Sequence, residues 1–309
     1  MLSAFGLHNN EITPYLSLIN RPEPLLIADL HMHSTASDGL LDPLELMTEA
    51  ASAGVSLVAL TDHDCLDGLP AAAQAASELG MHWVSGVELS AQWQGHTLHV
   101  LGYGFDPQAP ALMDSIEAVK HGRWQRAEQI ARKLDGKRMP GGLEGAMAAQ
   151  IAAGGDPNSP PARPHFADWM VQAGFVRDRA EAFRKWLGAG KLGDIKQHWP
   201  ELAEAVAQIR GAGGMAVMAH PWHYGFTRSR LRRALKDFAQ AGGRGIEVVN
   251  GQQAVEQVAY LGKLSEEFGF LASCGSDFHT PESPWTALGR MTALPPQCTP
   301  VWDDPVFSR

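Results

Sequence analysis

The chain has 309 residues, 45% of them apolar, and a formal net charge of −9, enough for one large or two small globular domains. It has no run of about 18 apolar residues, which argues against a membrane-spanning helix. Its three cysteines, Cys65, Cys274 and Cys298, are unevenly spaced, which argues against a disulfide framework and fits a reducing cytoplasm.

Residues 1–24 show neither a cationic n-region nor a clean apolar h-region and read as an irregular N-terminal extension rather than a signal peptide. "LLIADLHMH" then predicts a strand. "DPLELMTEAASAG" predicts a helix with Asp42 as N-cap, Pro43 in the first turn and Gly54 as terminator. "VSLVALTDHD" predicts a second strand, and "LPAAAQAASELG" a second helix closed by Gly80. "MHWVSGVELSAQ" and "HTLHVLGYGF" read as two strands joined by a turn at Gly95. From 106 to 195 no strand pattern is present. Helical segments such as "ALMDSIEAVKHGRWQRAEQIARKL" dominate there, broken by "GGDPNSPPARPHF". Beyond 195 the alternation resumes: "ELAEAVAQIRGAGG" leads to "MAVMAH", "RSRLRRALKDFAQAGG" to "GIEVVN", and "AVEQVAYLGKLSEEFG" to "FLASCGSDFH". The pattern predicts an α/β fold of βαβ units with a parallel sheet over 25–105 and 196–309, holding a helical insertion over 106–195.

Charge is divided along the chain. Residues 120–244 carry 21 of the 25 Lys and Arg but 11 of the 34 Asp and Glu. Helical surfaces alone could account for this. A sharper reading is an acidic, cation-binding part facing a basic, anion-binding part.

The predicted strands end in groups that bind metals. Strand one ends in His31 and His33, and Asp38 follows. Strand two ends in Asp62, His63 and Asp64. Glu88 lies in "GVELS" and His99 in "LHVLGYG". Later strands end in His220, and in Asp277 and His279. In parallel α/β folds ligands gather at the carboxyl ends of strands. The period of two places His31 with His33, and Asp277 with His279, on one side of the chain. A lone strand-end histidine is more often a satisfied structural residue, but the set as a whole points to metal. Imidazole with carboxylate suits Zn, Mn or Fe. Nine candidate ligands exceed the need of one ion, and Glu88 could bridge two. A metal-bridging hydroxide would then be the nucleophile.

Taken in order, "DLHMHS", "TDHD", "GVELS", "LHVLGYG", "AHP" and "GSDFH" resemble the motifs of the polymerase and histidinol phosphatase (PHP) family over Leu26 to Arg290. The resemblance implies a distorted (βα)7 barrel and two or three divalent ions, Mn²⁺ first, with Fe²⁺ or Zn²⁺ as alternatives. "RWQRAEQIARKL", "ARPHFADWMV", "FRKWLGAGKLGD", "AHPWHY" and "GGRGIEVVNG" resemble a bacterial subgroup of 3′,5′-nucleoside bisphosphate phosphatases that includes a 5′-to-3′ exoribonuclease. By position, the resemblance implies one ion on His31, His33, Glu88 and Asp277. It implies a second on Glu88, His99 and His220, and a third on Asp38, His63 and His279. Asp62 and Asp64 would orient ligands or bound water. Relatives commonly carry arginine where this chain has His223, whose role is then phosphate binding or protonation of the leaving group.

Arg163 and His165 of the insertion are candidates to hold a substrate phosphate, as are Lys185 and Lys191. Arg123 and Arg126 read as a solvated helix face, and Trp124, Trp169, Trp186 and Trp199 as packing. Cys65 and Cys274 adjoin the metal motifs and could make the site sensitive to oxidation. His8, His82, His96, His121 and His198 have no motif context. The expected enzyme is a cytoplasmic, metal-dependent phosphoesterase acting on a phosphorylated nucleotide or an RNA 5′ end, with no membrane or protein partner. Alternatives are a histidinol phosphate phosphatase, a C–N hydrolase on the same scaffold, and a non-catalytic RNA-binding module.

Overall fold

The computed structural model describes residues 26–195, 199–283 and 285–308. The predicted N-terminal extension, with His8, lies outside them, as does His198. Among the described residues no helix is long and apolar enough to cross a membrane.

The local signals place the helices well. Helix α1 (Pro43–Ser52) starts at Asp42, whose side chain accepts from the Glu45 N–H while Glu45 reaches back to the Asp42 N–H. This reciprocal cap satisfies two donors that a helix start leaves open. Helix α2 (Leu69–Glu78) follows. Gly54 and Gly80 lie beyond these helices at φ +86° and +70°, the left-handed region that ends a helix. Helix α3 (Pro110–Asp135) is followed by α4 (Gly142–Ala152), α5 (Arg163–Gln172), and α6 (Arg179–Ala182), which runs into a π turn over Phe183–Leu187. Helices α7 (Leu202–Gly211), α8 (Arg228–Ala241) and α9 (Val255–Phe268) return to the main body.

The strands form two sheets. Parallel β1 (Ala28–Asp29), β2 (Leu57–Val58) and β3 (His82–Trp83) make the first. The second runs in the order β4 (Gly86–Trp93), β5 (His96–Tyr103), β6 (Met215–Met218), β7 (Gly245–Asn250) and β8 (Leu271–Gly275). The two sheets do not form one closed ladder, but backbone hydrogen bonds cross between them. Leu30 N–H donates to Cys274 O at 3.1 Å, and Asp64 N–H to Glu88 O at 2.9 Å.

Three expectations need correction. The sheet is mixed, not all parallel, because β4–β5 and β5–β6 are antiparallel. A loop of Gln94 and Gly95, both at positive φ, can close a hairpin but cannot span a parallel crossover. The long strand expected from "LLIADLHMH" pairs with β2 only at Ala28 and Asp29. Beyond them it runs between the two sides: Met32 O accepts the Thr61 N–H at 3.0 Å, and His33 N–H donates to Phe278 O at 2.8 Å. "MHWVSGVELSAQ" is split between β3 and β4, which belong to different sheets.

One buried apolar cluster fills the main body. A second is built by Ile130 and Leu134 of α3 with Phe166, Trp169, Met170 and Leu187 of the insertion. Helix α3 serves both, because Leu112 near its start packs in the first.

Gly275 marks a tight contact between β8 and the ligand-bearing segment. A Cβ there would stand 2.2 Å from the Cβ of His31. Gly275→Ala is expected to destabilise the fold by about 1–3 kcal/mol through overpacking, seen as a lower midpoint of denaturation. An unchanged midpoint would show that the contact yields freely.

Candidate metal centre

Every residue singled out as a metal ligand comes to one place. His31, His33 and Glu88 are fully buried. His31 Nε2 lies 3.1 Å, His33 Nε2 3.3 Å and His63 Nδ1 3.2 Å from Glu88 Oε2. The other oxygen, Oε1, lies 3.0 Å from both His99 Nδ1 and His220 Nε2. Asp277 Oδ1 is 3.6 Å from His31 Nε2 and 3.4 Å from His33 Nε2. Asp38 Oδ1 is 3.4 Å from His279 Nε2 and 3.9 Å from His33 Nδ1. Glu88 is thus the centre, with its two oxygens facing two groups of imidazoles.

The antiparallel turn of β5 explains how His99 arrives. Running back from Gly95, β5 pairs His99 with Ser90, close to Glu88 on β4. A parallel strand would have presented its C-terminal end instead. The backbone is held in unusual conformations at the same place: Asp64, His220 and Asp277 have φ of 47°, 25° and 56°. Positive φ at non-glycine residues costs about 1–3 kcal/mol each and tends to persist where function requires it.

The residues fit divalent ions. Four sets of three or four His, Asp and Glu atoms lie within 4.8 Å of one another. Separations between 3.0 and 3.6 Å match the edges of a polyhedron whose arms are about 2.1 Å. Several buried ring nitrogens (both of His33, His63 Nδ1 and His220 Nδ1) make no hydrogen bond, although carboxylate oxygens are near. Unpartnered buried ring nitrogens are uncommon, and one ligating nitrogen on each ring would account for them. Burial works to raise Glu88, but His63, His31 and His99 hold its carboxyl well below the usual range. Asp38 is also lowered, against burial, by His63 and His279. Burial pushes His63 down to about 3, leaving a neutral ring able to donate a lone pair. His33 is raised to about 10, because Asp277 and Glu88 outweigh its burial. A divalent ion would take the place of such protons.

A surrounding set of groups fixes these ligands. Asp62 accepts from Ser34 N–H, Ser34 Oγ and Ser37 Oγ at 2.6–2.8 Å, holding the loop that presents Asp38. Asp64 accepts from Ser90 N–H at 2.7 Å and from Arg123 at 2.5 Å, tying α3 to the centre. Tyr224 Oη accepts the His99 N–H at 2.8 Å. Sequence reading missed Glu247 on β7. It is fully buried, and its Oε1 accepts from His31 Nδ1 at 2.9 Å. Its Oε2 accepts the His220 N–H at 2.7 Å and Asn250 Nδ2 at 3.0 Å. The available signal was a charge inside the apolar run "GIEVVN".

A cavity of about 360 Å³ opens on the centre. Asp38, His63 and His99 form one wall, and Arg123, Arg126, Arg163, His165 and Trp199 contribute another. Arg123 and Arg126 are therefore not a solvated helix face. Arg126 is half-buried and its Nε has no partner. Burial, with Arg163 and Arg123 nearby, lowers it to about 10. Arg163 also donates to Leu187 O at 3.3 Å. His165 Nδ1 accepts the Ala162 N–H at 3.0 Å, which leaves Nε2 to carry the proton. Lys185 pairs with Glu181 at 2.6 Å, and neither it nor Lys191 lines the cavity. His223 lies outside the cavity, its ring stacked 5.6 Å from His220. Burial pushes the Cys65 thiol up to about 12 and raises Cys274 as well, so neither offers a reactive thiolate.

Comparison with known proteins agrees with this geometry. The PHP domain model matches residues 29–135. The 3′,5′-nucleoside bisphosphate phosphatase of Chromobacterium violaceum is 41% identical over 89% of this chain and 94% of its own. The 5′-3′ exoribonuclease of Haemophilus influenzae is 38% identical over 89% and 97%. Among solved structures, one described as an amidohydrolase from C. violaceum, with bound sulfate and no metal, superposes with a TM-score of 0.79 at 40% identity, covering 90% of this chain and 95% of its own. One described as a metal-dependent phosphoesterase from Bifidobacterium adolescentis superposes at 0.72 and 26% identity, covering 90% and 94%. Identity at this level along nearly the whole length, over a centre of this composition, shows that the chain belongs to the PHP family of metal-dependent phosphoesterases.

Proposed function

We propose that the chain hydrolyses a 3′,5′-nucleoside bisphosphate to the nucleoside 5′-monophosphate and phosphate, and trims RNA 5′ ends with the same chemistry. The observation that carries this reading is the cavity, with the ligand cluster on one side and three arginines on the other. A substrate with two separated phosphates matches both walls. A neutral amide, as a C–N hydrolase would take, leaves Arg126 without an anion; Arg123 already pairs with Asp64, and Arg163 lies 3.9 Å from Asp194. The names of the two relatives given above support the same choice.

The ligands divide as the family motifs imply: His31, His33, Glu88 and Asp277; Glu88, His99 and His220; Asp38, His63 and His279. His33 also stands near enough to join the third set. Two or three divalent ions there, Mn²⁺ by our reading, would supply Lewis acidity and a water acidic enough to react at neutral pH. The protein's own part is positional. Glu88 holds the two groups of imidazoles together. Arg126 and Arg163 bind the phosphate that is kept, and His165 offers its Nε2–H to the same anion. Water attacks phosphorus, the bond from phosphorus to the 3′ oxygen breaks, and that oxygen takes a proton. Burial and His220 lower His223 in the free protein, so it is a poor resting cation. His223 does not line the cavity but stacks on His220 of the ligand cluster; a dianionic phosphate held at that cluster would raise it again, and we assign it the proton returned to the leaving oxygen.

We read the two adjoining sheets as the distorted (βα)7 barrel of the family, residues 106–195 as a substrate-binding cap, and the compartment as the cytoplasm. Turnover of adenosine 3′,5′-bisphosphate against adenosine 3′-monophosphate tests the substrate. Wild type should favour the bisphosphate, and Arg126→Ala with Arg163→Ala should erase most of that preference. A lost charged hydrogen bond costs about 1.5–3 kcal/mol, so the preference should fall about 10- to 100-fold. Equal turnover of both by wild type would rule out the second phosphate site.

A further inference from the structure

Beyond the cavity, the loop after β6 carries a set of aromatic rings and arginines that the reading above does not use. It runs "HPWHYGFTRSR" from His220 into α8. Ring centroids step from His220 to Tyr224 (5.3 Å), from Tyr224 to Phe226 (5.5 Å), and from Phe226 to His96 at the tip of the β4–β5 hairpin (5.0 Å). Arg230 lies 5.7 Å over the Phe226 ring, with Nη1 3.5 Å from His96 Nε2. On the flank, Trp222 is 36% exposed and 6.1 Å from Tyr260, and Arg228 lies 4.9 Å over Tyr260. A row of rings thus leads from a candidate metal ligand out to the surface.

The arginines are exposed, and their contacts are with rings and not with carboxylates. Among the described residues neither Arg228 nor Arg230 forms an ion pair, whereas Arg232 on the same helix binds Glu267. Both stand in the first turn of α8, where the helix dipole disfavours cations. The exposed Trp222 ring, the half-buried Phe226, Tyr260 and His96 rings beside it, and guanidinium groups without an ion pair together suit one class of ligand: bases stack on the rings and phosphates meet the cations. A duplex keeps its bases stacked inside and would leave the rings unused.

We propose that Trp222, Tyr260, Arg228, Phe226, Arg230 and His96 form a track for single-stranded RNA leading to the metal centre. The proposal rests on the phosphoesterase reading of that centre and deepens it. The track holds the rest of a strand whose terminal nucleotide is being hydrolysed. It makes longer strands better substrates without touching the chemistry.

The test uses the full chain with Mn²⁺ and two readouts. In a Glu88→Gln background, anisotropy of a labelled 5′-phosphorylated ten-nucleotide RNA measures binding without turnover. Adding Trp222→Ala, Arg228→Ala and Arg230→Ala should weaken binding at least about tenfold. The slope of log affinity against log salt should flatten by about 1.4, near 0.7 for each lost phosphate contact on a single strand. In the active chain, the same three substitutions should leave kcat/KM for adenosine 3′,5′-bisphosphate within about twofold, which also reports correct folding. Unchanged RNA affinity would overturn the proposal, as would a parallel loss on the mononucleotide or equal affinity for duplex RNA. If wild type hydrolyses no nucleotide at all, the reading of the centre fails. RNA binding that still depends on the three residues would leave the track standing.

Discussion

Glu88→Gln is expected to lower kcat by at least about 10³-fold while the chain still folds. Glu88 contacts both halves of the ligand cluster: Oε2 faces His31, His33 and His63, and Oε1 faces His99 and His220. An amide is nearly the same size, so packing is kept. It carries no charge, offers one acceptor instead of two, and turns an NH2 group towards rings that need a lone pair opposite. The charge stabilisation that a correctly held metal supplies amounts to several kcal/mol, and about 4 kcal/mol corresponds to 10³-fold. Steady-state kinetics with metal content measured on the same sample checks this. Turnover near that of wild type at full metal occupancy would remove Glu88 from the reaction.

Glu247→Gln should weaken metal affinity about 10- to 100-fold, the usual effect of losing a carboxylate that orients a ligating histidine. Glu247 is fully buried, with His31 Nδ1–H on Oε1 and the His220 N–H and Asn250 Nδ2 on Oε2, so donors face it from two sides. Glutamine can answer only one side, and its NH2 must then oppose the donor or donors on the other. Because His31 and His220 belong to different ligand groups, one substitution disturbs both. Titration with Mn²⁺ reads the effect directly, and excess metal should restore much of the turnover. A variant with wild-type metal affinity and slow turnover would instead place Glu247 in the chemistry itself.

Much of the centre was legible because its signals are short. The period of two in His31-Met-His33 and in Asp277-Phe-His279, and the acid-histidine run after β2, are read within a few residues. Helix limits were legible for the same reason. Asp42 and Gly54 act on backbone groups within one turn, and such effects do not depend on the rest of the fold. Where the reading failed, the deciding contact was distant. Arg123 and Arg126 look like a solvated face in isolation, because helical spacing does not say what the insertion folds against. "MHWVSGVELSAQ" reads as one strand, but pairing with two different partners divides it.

The sequence by itself determined which histidines and carboxylates to look for, where many helices begin and end, and that basic residues gather over 120–244. Only the tertiary structure decided that β5 runs antiparallel and so brings His99 to Glu88, that three arginines face the ligand cluster across one cavity, and that Glu247 supports His31. His31 and Glu247 are 216 residues apart. Residue type and local spacing specify what a side chain can do. Which groups it meets depends on how β7, β8 and the His31 segment pack, a choice made by buried area summed over the whole core and not by any short stretch of chain.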